Sequence, residues 1–442
     1  MVVGLWSLLI LTGTVLFGRW FCGFVCPLGT LIDLGAPLLE HKHKKEPGPV
    51  WNKGKYLLLL FLVGAAALGL SFGQLLDPLT IVDRTLALVI YPAASYLLAL
   101  VTPILAAGFT EGLITLAALA LILGLGWWQT RFWCRNLCPL GGLLAAAVKF
   151  SVFKFAVRGQ CDHCGLCSRV CPTAAIDPKI LTIDTAECIV CLRCWSECPK
   201  DQIGYGVHRS GPALDIKRRH ALAALAVGAV IAPLVRFGSS RSANGRLIRP
   251  PGAWPEMEFT NTCLRCGLCM KVCPTNGLQP SISEAGLAGL WTPRLVGRIG
   301  GCEKNCNACG QTCPTGAIRR LSMEEKSFVK MGTAVIDRSR CIAWEQDKIC
   351  LICDEACPYN AIESRIDRMS ASDLLRPFVD ENLCVGCGIC ETRCPIEGSA
   401  AIQMYSIGEE RRRTGSYITV DKIRRRAQRG TAEDLPSGFI TE

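Results

Sequence analysis

Cys161-Asp-His-Cys164-Gly-Leu-Cys167-Ser-Arg-Val-Cys171-Pro172 decides how this chain folds, because its spacing, C-x2-C-x2-C-x3-C-P, returns three more times without deviation. The further copies are Cys188/Cys191/Cys194/Cys198, Cys263/Cys266/Cys269/Cys273 and Cys384/Cys387/Cys390/Cys394. Two others are stretched at the first gap only: Cys302/Cys306/Cys309/Cys313, with three residues in it, and Cys341/Cys350/Cys353/Cys357, with eight. Together the six copies use 24 of the 28 cysteines in 442 residues. An iron–sulfur cube offers iron at four separated corners, so three thiolates come from one tight loop and the fourth from elsewhere. In the bacterial two-cluster arrangement that fourth thiolate belongs to the neighbouring cluster, and the proline after it turns the chain away. Structural zinc sites instead separate two C-x2-C knuckles by roughly a dozen residues or more, and disulfide scaffolds suit short secreted chains. The spacing therefore predicts six [4Fe-4S] clusters in α+β, βαβ-type bacterial ferredoxin-like domains that hold two clusters each.

The formal charge of +11 fits the same reading. A cluster with four thiolates carries about −2 when oxidised, so six bring about −12 and leave the loaded protein near neutral. The basic balance is counter-charge for clusters, and nucleic acid is excluded as its reason.

Residues 1–150 differ in kind, with four cysteines and long apolar stretches at 5–17, 56–72 and 114–128 that approach the ~20 residues needed to span a hydrocarbon core. No small-residue cleavage site follows the first, and Arg19-Trp20-Phe21 reads as an interfacial anchor, so it is expected to stay as a transmembrane helix. The stretch 79–107 contains Asp83, Arg84, Pro92 and Pro103, which suits a re-entrant or interfacial segment better than a plain span. An internal repeat orients the domain: Arg19-Trp-Phe-Cys22-Gly-Phe-Val-Cys26-Pro-Leu-Gly29 is matched by Arg131-Phe-Trp-Cys134-Arg-Asn-Leu-Cys138-Pro-Leu-Gly141. Lys42, Lys44, Lys45, Lys53 and Lys55 follow the first motif and Arg131, Arg135, Lys149, Lys154 and Arg158 surround the second. By the positive-inside rule both face the cytoplasm, so 79–107 must return to the face it left by lying flat, re-entering or crossing twice. Cys22, Cys26, Cys134 and Cys138 read either as structural thiols at helix ends, or as redox groups that ligate a seventh cluster or exchange electrons as dithiols.

After the first two cluster motifs, Lys217-Arg218-Arg219 precedes an apolar run at 221–235. Paired arginines ahead of a modest apolar run resemble a twin-arginine export signal, which suits a domain that folds around clusters before it crosses. The run either spans, leaving the last four clusters outside, or is a buried helix. The division predicted is a transmembrane domain at 1–150, a two-cluster ferredoxin at 151–215, the apolar segment at 216–240, a four-cluster ferredoxin-type domain at 241–408 and a basic tail at 409–442. The tail's charges, Arg411 to Arg413 and those at 422–429, read as solvated.

These residues carry a family likeness. The paired C-x3-C-P-L-G motifs with a following two-cluster ferredoxin resemble the NapH-type quinol dehydrogenase membrane component of periplasmic nitrate reductase systems. From Arg218 onward, the paired arginines, C-L-R-C-G-L-C-M-K-V-C-P at Cys263, N-A-C-G-Q-T-C-P-T-G-A-I ending at Ile318 and I-D-R-S-R-C ending at Cys341 resemble the NapG/MauM-type ferredoxin partner. The chain looks like a fusion of the two. The membrane family usually has another helix ahead of its first C-x3-C-P motif, so the N-terminus is expected outside. The resemblance implies a multi-pass protein of the bacterial cytoplasmic membrane that relays electrons between the quinone pool and a periplasmic cytochrome or reductase, with its first ferredoxin cytoplasmic and its second periplasmic. It implies an electron-transfer subunit of the respiratory chain rather than a stand-alone enzyme, without catalytic residues of its own. A quinone site is expected near the two C-x3-C-P motifs, where Trp20, Trp127, Trp128 and Trp133 mark interfacial depth and Arg19 and Arg131 can donate to a quinone oxygen. Two other classes stay open: a subunit of a larger respiratory oxidoreductase whose catalysis lies in another chain, and a metalloenzyme assembly or reductase factor.

Among the last four motifs, Cys-Pro-Thr-Gly-Ala-Ile318 followed by Ala334-Val-Ile-Asp-Arg-Ser-Arg-Cys341 looks like the hairpin link between Cys171 and Cys188, so the Cys302 and Cys341 motifs are expected to share one ferredoxin unit and the Cys263 and Cys384 motifs to pair across it. By crossover the sets would be Cys302/Cys306/Cys309 with Cys357, Cys341/Cys350/Cys353 with Cys313, Cys263/Cys266/Cys269 with Cys394, and Cys384/Cys387/Cys390 with Cys273, the alternative being uncrossed ligation. There is no C-x-x-C-H for c-type haem, and His41, His43, His163, His208 and His220 all lie outside the apolar stretches. His41 and His43 stand in a lysine run and read as a solvated loop. With no Gly-x-Gly-x-x-Gly or phosphate-binding loop, nicotinamide or ATP chemistry would need a partner.

Overall fold

The computed structural model describes residues 2–39, 53–102, 107–109, 111–157, 161–177, 182–207, 216–241, 245–367 and 374–428. Lys42, Lys44, Lys45, His41, His43, Pro103, Arg158, His208 and the chain after 428 lie outside them. The chain forms two units, residues 1–85 with 113–234, and residues 86–112 with 235–442.

In the first unit, helices Val2–Phe17, Gly54–Ala67 and Gly112–Gly124 are built from Leu, Ile, Val and Ala runs. The apolar stretches Leu5–Phe17, Gly54–Ala67, Gly112–Trp127 and Pro139–Phe150 are shorter than a full span, whereas Pro78–Ala99 and Arg218–Val235 are long and apolar enough to cross a membrane. Within the stretch 79–107, expected to be re-entrant or interfacial, the residues through Ala99 form one continuous helix. Pro92 does not break it because it follows a π-helical turn, Leu86–Ile90, where the i→i−4 ladder is already interrupted. Helix Arg218–Arg241 packs on Gly54–Ala67 through Gly64 and Gly228, where a Cβ would collide with the carbonyls of Leu225 and Phe61; small residues permit this close approach of apolar helices.

The three ferredoxin regions share one scheme. In each, an outer pairing joins the ends of the repeat and an inner pairing joins the two cysteine loops. The first repeat closes with Phe153–Val157 antiparallel to Ile203–Val207, and Ile176 bridges Ile183 inside it. In the second unit, Ala253 bridges Ile318 around the hairpin Leu278–Pro280 with Pro293–Leu295. Next, Thr333–Ile336 pairs with Ile402–Tyr405 around Ile362–Ile366 with Leu375–Val379. This corrects the pairing expected for the last four motifs. Ala334 and Val335 are not a link between the Cys302 and Cys341 loops; they open a new repeat and pair with its last strand.

The region after 408 is not a solvated tail as far as Gln428. Tyr417 is 0% exposed and Ile423 is buried in the core with Phe328 and Val329. Arg411 pairs with Glu256 and Glu409, and Lys422 donates to the Phe328 carbonyl at 2.9 Å. Burial would push the Glu256 carboxyl up, but Arg249 and Arg411 outweigh it and hold the group down to about 2. The contribution of this pair is thus present above the unfolded carboxyl value and lost as pH falls toward 2. The misreading has a physical cause: two apolar residues in a charged run carry the docking. Tyr417→Ala is expected to cost about 3 kcal/mol, seen as an earlier midpoint of thermal cluster loss followed by absorbance, whereas a freely solvated tail would leave the midpoint unchanged.

Candidate iron–sulfur sites

Six quartets of cysteines assemble, each with three residues from one loop and the fourth from its partner loop. Cys171 joins Cys188, Cys191 and Cys194 around a cavity of about 350 Å³. Cys273 joins Cys302, Cys306 and Cys309 around about 380 Å³, and Cys394 joins Cys341, Cys350 and Cys353 around about 390 Å³. Cavities so alike in size and lined by the same donors suit one kind of guest. In the reciprocal positions, Cys198 lies with Cys161, Cys164 and Cys167, Cys313 with Cys263, Cys266 and Cys269, and Cys357 with Cys384, Cys387 and Cys390. The crossing of the fourth cysteine is as expected from the spacing, but the loops paired are neighbours in sequence, Cys263 with Cys302 and Cys341 with Cys384. The nested sets are overturned by strand pairing, which closes each repeat before the next begins.

The loops are bent in a way that side chains resist. On either side of the second cysteine, backbone φ is positive at His163 and Gly165, Val190 and Leu192, Arg265 and Gly267, and Gly386 and Gly388. A non-glycine residue in this region costs of order 1–3 kcal/mol, and a β-branched one such as Val190 is a real outlier. Such a turn directs an amide inward, as Arg265 N donates to Cys263 Sγ at 3.4 Å; after the fourth cysteine, Ala175 and Ala361, each following a residue of positive φ, donate to Cys171 and Cys357 at 3.2 and 3.3 Å. N–H···S bonds of this kind tune cluster potentials. Burial pushes the Cys188 and Cys353 thiols up to about 12 and Cys194 to about 11, and ligation of a metal by these thiols would release protons. Among the described residues no three His, Cys, Asp or Glu side chains converge on a single ion; the donor set fits a guest with separated corners.

Cys22, Cys26, Cys134 and Cys138 also come together, in one buried cluster with Phe21, Leu28 and Trp133. The two motifs are laced by exchanged arginines. Arg131 of the second motif donates to the Cys22 carbonyl at 3.1 Å and makes a two-pronged pair with Asp33 at 2.8 and 2.9 Å. Arg19 of the first reaches toward Gly141, donates to the Ala186 carbonyl at 2.7 Å and lies 3.8 Å from Glu187. Both guanidiniums are buried, at 1% and 3% exposure, and bond to protein groups, while the buried Arg19 Nε has no hydrogen-bond partner among the described residues. Trp127 and Trp128 are exposed, whereas Trp133 is buried and marks no interface. The motifs also seat the Cys188 loop. Gly23, between Cys22 and Cys26, lies so close to the Ile189 carbonyl that any Cβ would collide with it. Lys55 and Tyr56 bind Glu187, and Arg193 meets Asp33 at 3.2 Å. Sequence reading missed Glu187 and Asp33, because their partners Lys55, Tyr56, Arg131 and Arg193 lie far from them in the chain.

Outer and inner pairings around crossed cysteine quartets define a ferredoxin-type iron–sulfur protein. One family model, described as a 4Fe-4S binding domain, matches residues 1–46 and 110–158, and a second of the same description matches 157–177, 259–279 and 377–397. The methylamine utilization ferredoxin-type protein MauM of Methylorubrum extorquens is 35% identical over 171 residues, 38% of this chain and 76% of that protein. MauM of Paracoccus denitrificans is 36% identical over 202 residues, 43% of this chain and 87% of its own. The ferredoxin-type protein NapG of Escherichia coli is 35% identical over 166 residues, 36% of this chain and 70% of its own. The chain belongs to the family of ferredoxin-type proteins that includes MauM and NapG.

The crossed quartets are open to a direct count. Replacing Cys263 and Cys313 together by serine removes two ligands of one quartet and is expected to lose about four irons, whereas replacing Cys263 and Cys394 damages two quartets and loses about eight. The nested pairing expects the reverse, and elemental analysis of the two anaerobically purified variants distinguishes them.

Proposed function

We propose that the chain is a membrane-anchored polyferredoxin that fuses a NapH-type quinol dehydrogenase component to a NapG/MauM-type partner and relays electrons from quinol to a periplasmic redox protein. Six [4Fe-4S] clusters occupy the six quartets, and the four thiols of the C-x3-C-P motifs hold a seventh iron–sulfur group. Quinol gives up two electrons and two protons as it becomes quinone, and the electrons pass singly toward the partner, which is reduced. One observation carries this reading: the four membrane-edge thiols converge, and Gly23 among them lies against the backbone of Ile189, inside a cluster loop. That contact gives electrons a short route from the membrane edge into the first ferredoxin. A family model described as a 4Fe-4S binding domain covers both C-x3-C-P motifs, which supports cluster ligation there. Trp20, two residues before Cys22, and Trp133, packed with the thiols, bring buried indole N–H groups without acceptors, and with Arg19 Nε they are the candidate donors to a quinone oxygen.

The test is quinol-driven reduction of the clusters, followed by absorbance, in the Cys22→Ser/Cys138→Ser variant, with dithionite reduction as the control for intact clusters. The rate is expected to fall by about tenfold or more, and iron to drop from about 28 toward about 24 per chain. An unmodified rate would remove the membrane thiols from the path and move the quinone to residues 79–107.

Orientation follows from the charge asymmetry of the first 150 residues, with the first ferredoxin cytoplasmic and the second periplasmic. Impermeant amine labelling of cells with a permeabilised outer membrane should reach Lys348, which is exposed in the second unit, and spare Lys200, exposed in the first. Equal labelling of both lysines would contradict the export of the second region.

A further inference from the structure

The two ferredoxin repeats of the second unit meet at the ligand residues themselves. The Cys302 amide donates to the Cys387 carbonyl at 2.7 Å, which joins a loop of one repeat to a loop of the other. Beside it, a Cβ on Gly301 would sit 2.6 Å from Ile389 Cγ1 and 2.7 Å from its backbone N and Cα. Tyr359 lies within electrostatic reach of Cys302, Cys387 and Cys357, which belong to two quartets. Arg298 clamps the contact by donating to the carbonyls of Cys394 and Ile396 at 2.8 and 2.7 Å. Cys384, Cys387 and Cys390 are all buried, as an interior position requires.

Within each repeat the third cysteines of the two loops are neighbours. Cys269 neighbours Cys309, and Cys390 neighbours Cys353, as Cys194 neighbours Cys167 in the first ferredoxin. At the far side of the Cys263 quartet, a Cβ on Gly267 would lie 3.1 Å from Ala87 Cβ, in the π-helical turn of the apolar helix. Asn276 and Gln279 donate to the Gly108 carbonyl at 2.6 and 3.1 Å.

We propose that these four quartets form a single unbranched wire in the order Cys263, Cys302, Cys384, Cys341, whose first member is seated on residues 86–112 and whose electron crossing between repeats is at the Cys302–Cys387 contact. The order in sequence and the order of electron flow thus differ at the last two sites. Electron transfer weakens steeply with distance, so the backbone contact that brings Cys302 against Cys387 sets the crossing between repeats. The inference rests on the reading that all four quartets hold clusters.

Electron paramagnetic resonance of the full-length, dithionite-reduced protein tests the order, because neighbouring reduced clusters broaden each other's signals. Removing the interior site with Cys384→Ala/Cys387→Ala is expected to leave the Cys341 site magnetically isolated, with a narrow uncoupled signal, while the Cys263 and Cys302 sites remain coupled. Removing the terminal site with Cys263→Ala/Cys266→Ala leaves the other three coupled. If the Cys341 site stays coupled after loss of the Cys384 site, or if the Cys263 site is the one released, the order is wrong. Gly301→Val serves where a cysteine variant fails to fold: it should keep the parent iron content and lose coupling between the Cys302 and Cys384 sites, and unchanged coupling overturns the bridge. Iron far below about 24 in the parent chain would instead overturn cluster occupancy itself, and the order with it.

Discussion

The structure depends on one constraint: no cysteine loop supplies all four donors of a quartet, so two loops must be held face to face before either quartet is complete. The strand pairings do this. Phe153–Val157 with Ile203–Val207, the Ala253 to Ile318 bridge and Thr333–Ile336 with Ile402–Tyr405 each draw together the ends of a stretch that contains two loops. These pairings run from a single bridge to five residues and carry little stability alone. Folding and cluster binding are therefore one event in these regions, and the guest supplies much of the free energy.

Two costs in the cysteine loops point the same way. Val190, Leu192, His163 and Arg265 hold positive φ, and several loop thiols are pushed far above their ordinary range by burial. Iron removes the second by displacing protons and offsets the first by fixing the turn. Arg265 shows the design on a small scale: its strained backbone aims an amide at Cys263, while its side chain, donating to the Ala288 carbonyl at 2.9 Å, is sunk under the same loop.

Local spacing made the cysteine loops, the crossing of the fourth ligand and the repeated C-x3-C-P motifs legible, because each is fixed within about a dozen residues. The partnering of loops was not, since it turns on strands such as Ile402–Tyr405, which lie far from the residues they pair with. The hairpin that joins the Cys263 and Cys302 loops was hidden by its three-residue strands and the prolines at Pro280 and Pro293. Arg19 and Arg131 were read by their membrane depth alone. Their partners, the Ala186 carbonyl, Glu187 and Asp33, turn them into fasteners between motifs and ferredoxin.

The account's central claim is that crossed quartets hold six iron–sulfur cubes in three successive ferredoxin repeats. The most direct measurement is a density map of the anaerobically purified full-length protein, with iron located by anomalous scattering or by strong cuboidal density. Six cubes are predicted, each touching three cysteines of one loop and the fourth of its sequence neighbour, with Cys313 on the Cys263 cube and Cys394 on the Cys341 cube. A cube bridging the Cys263 loop to Cys394, or single metal ions in place of cubes, would contradict it.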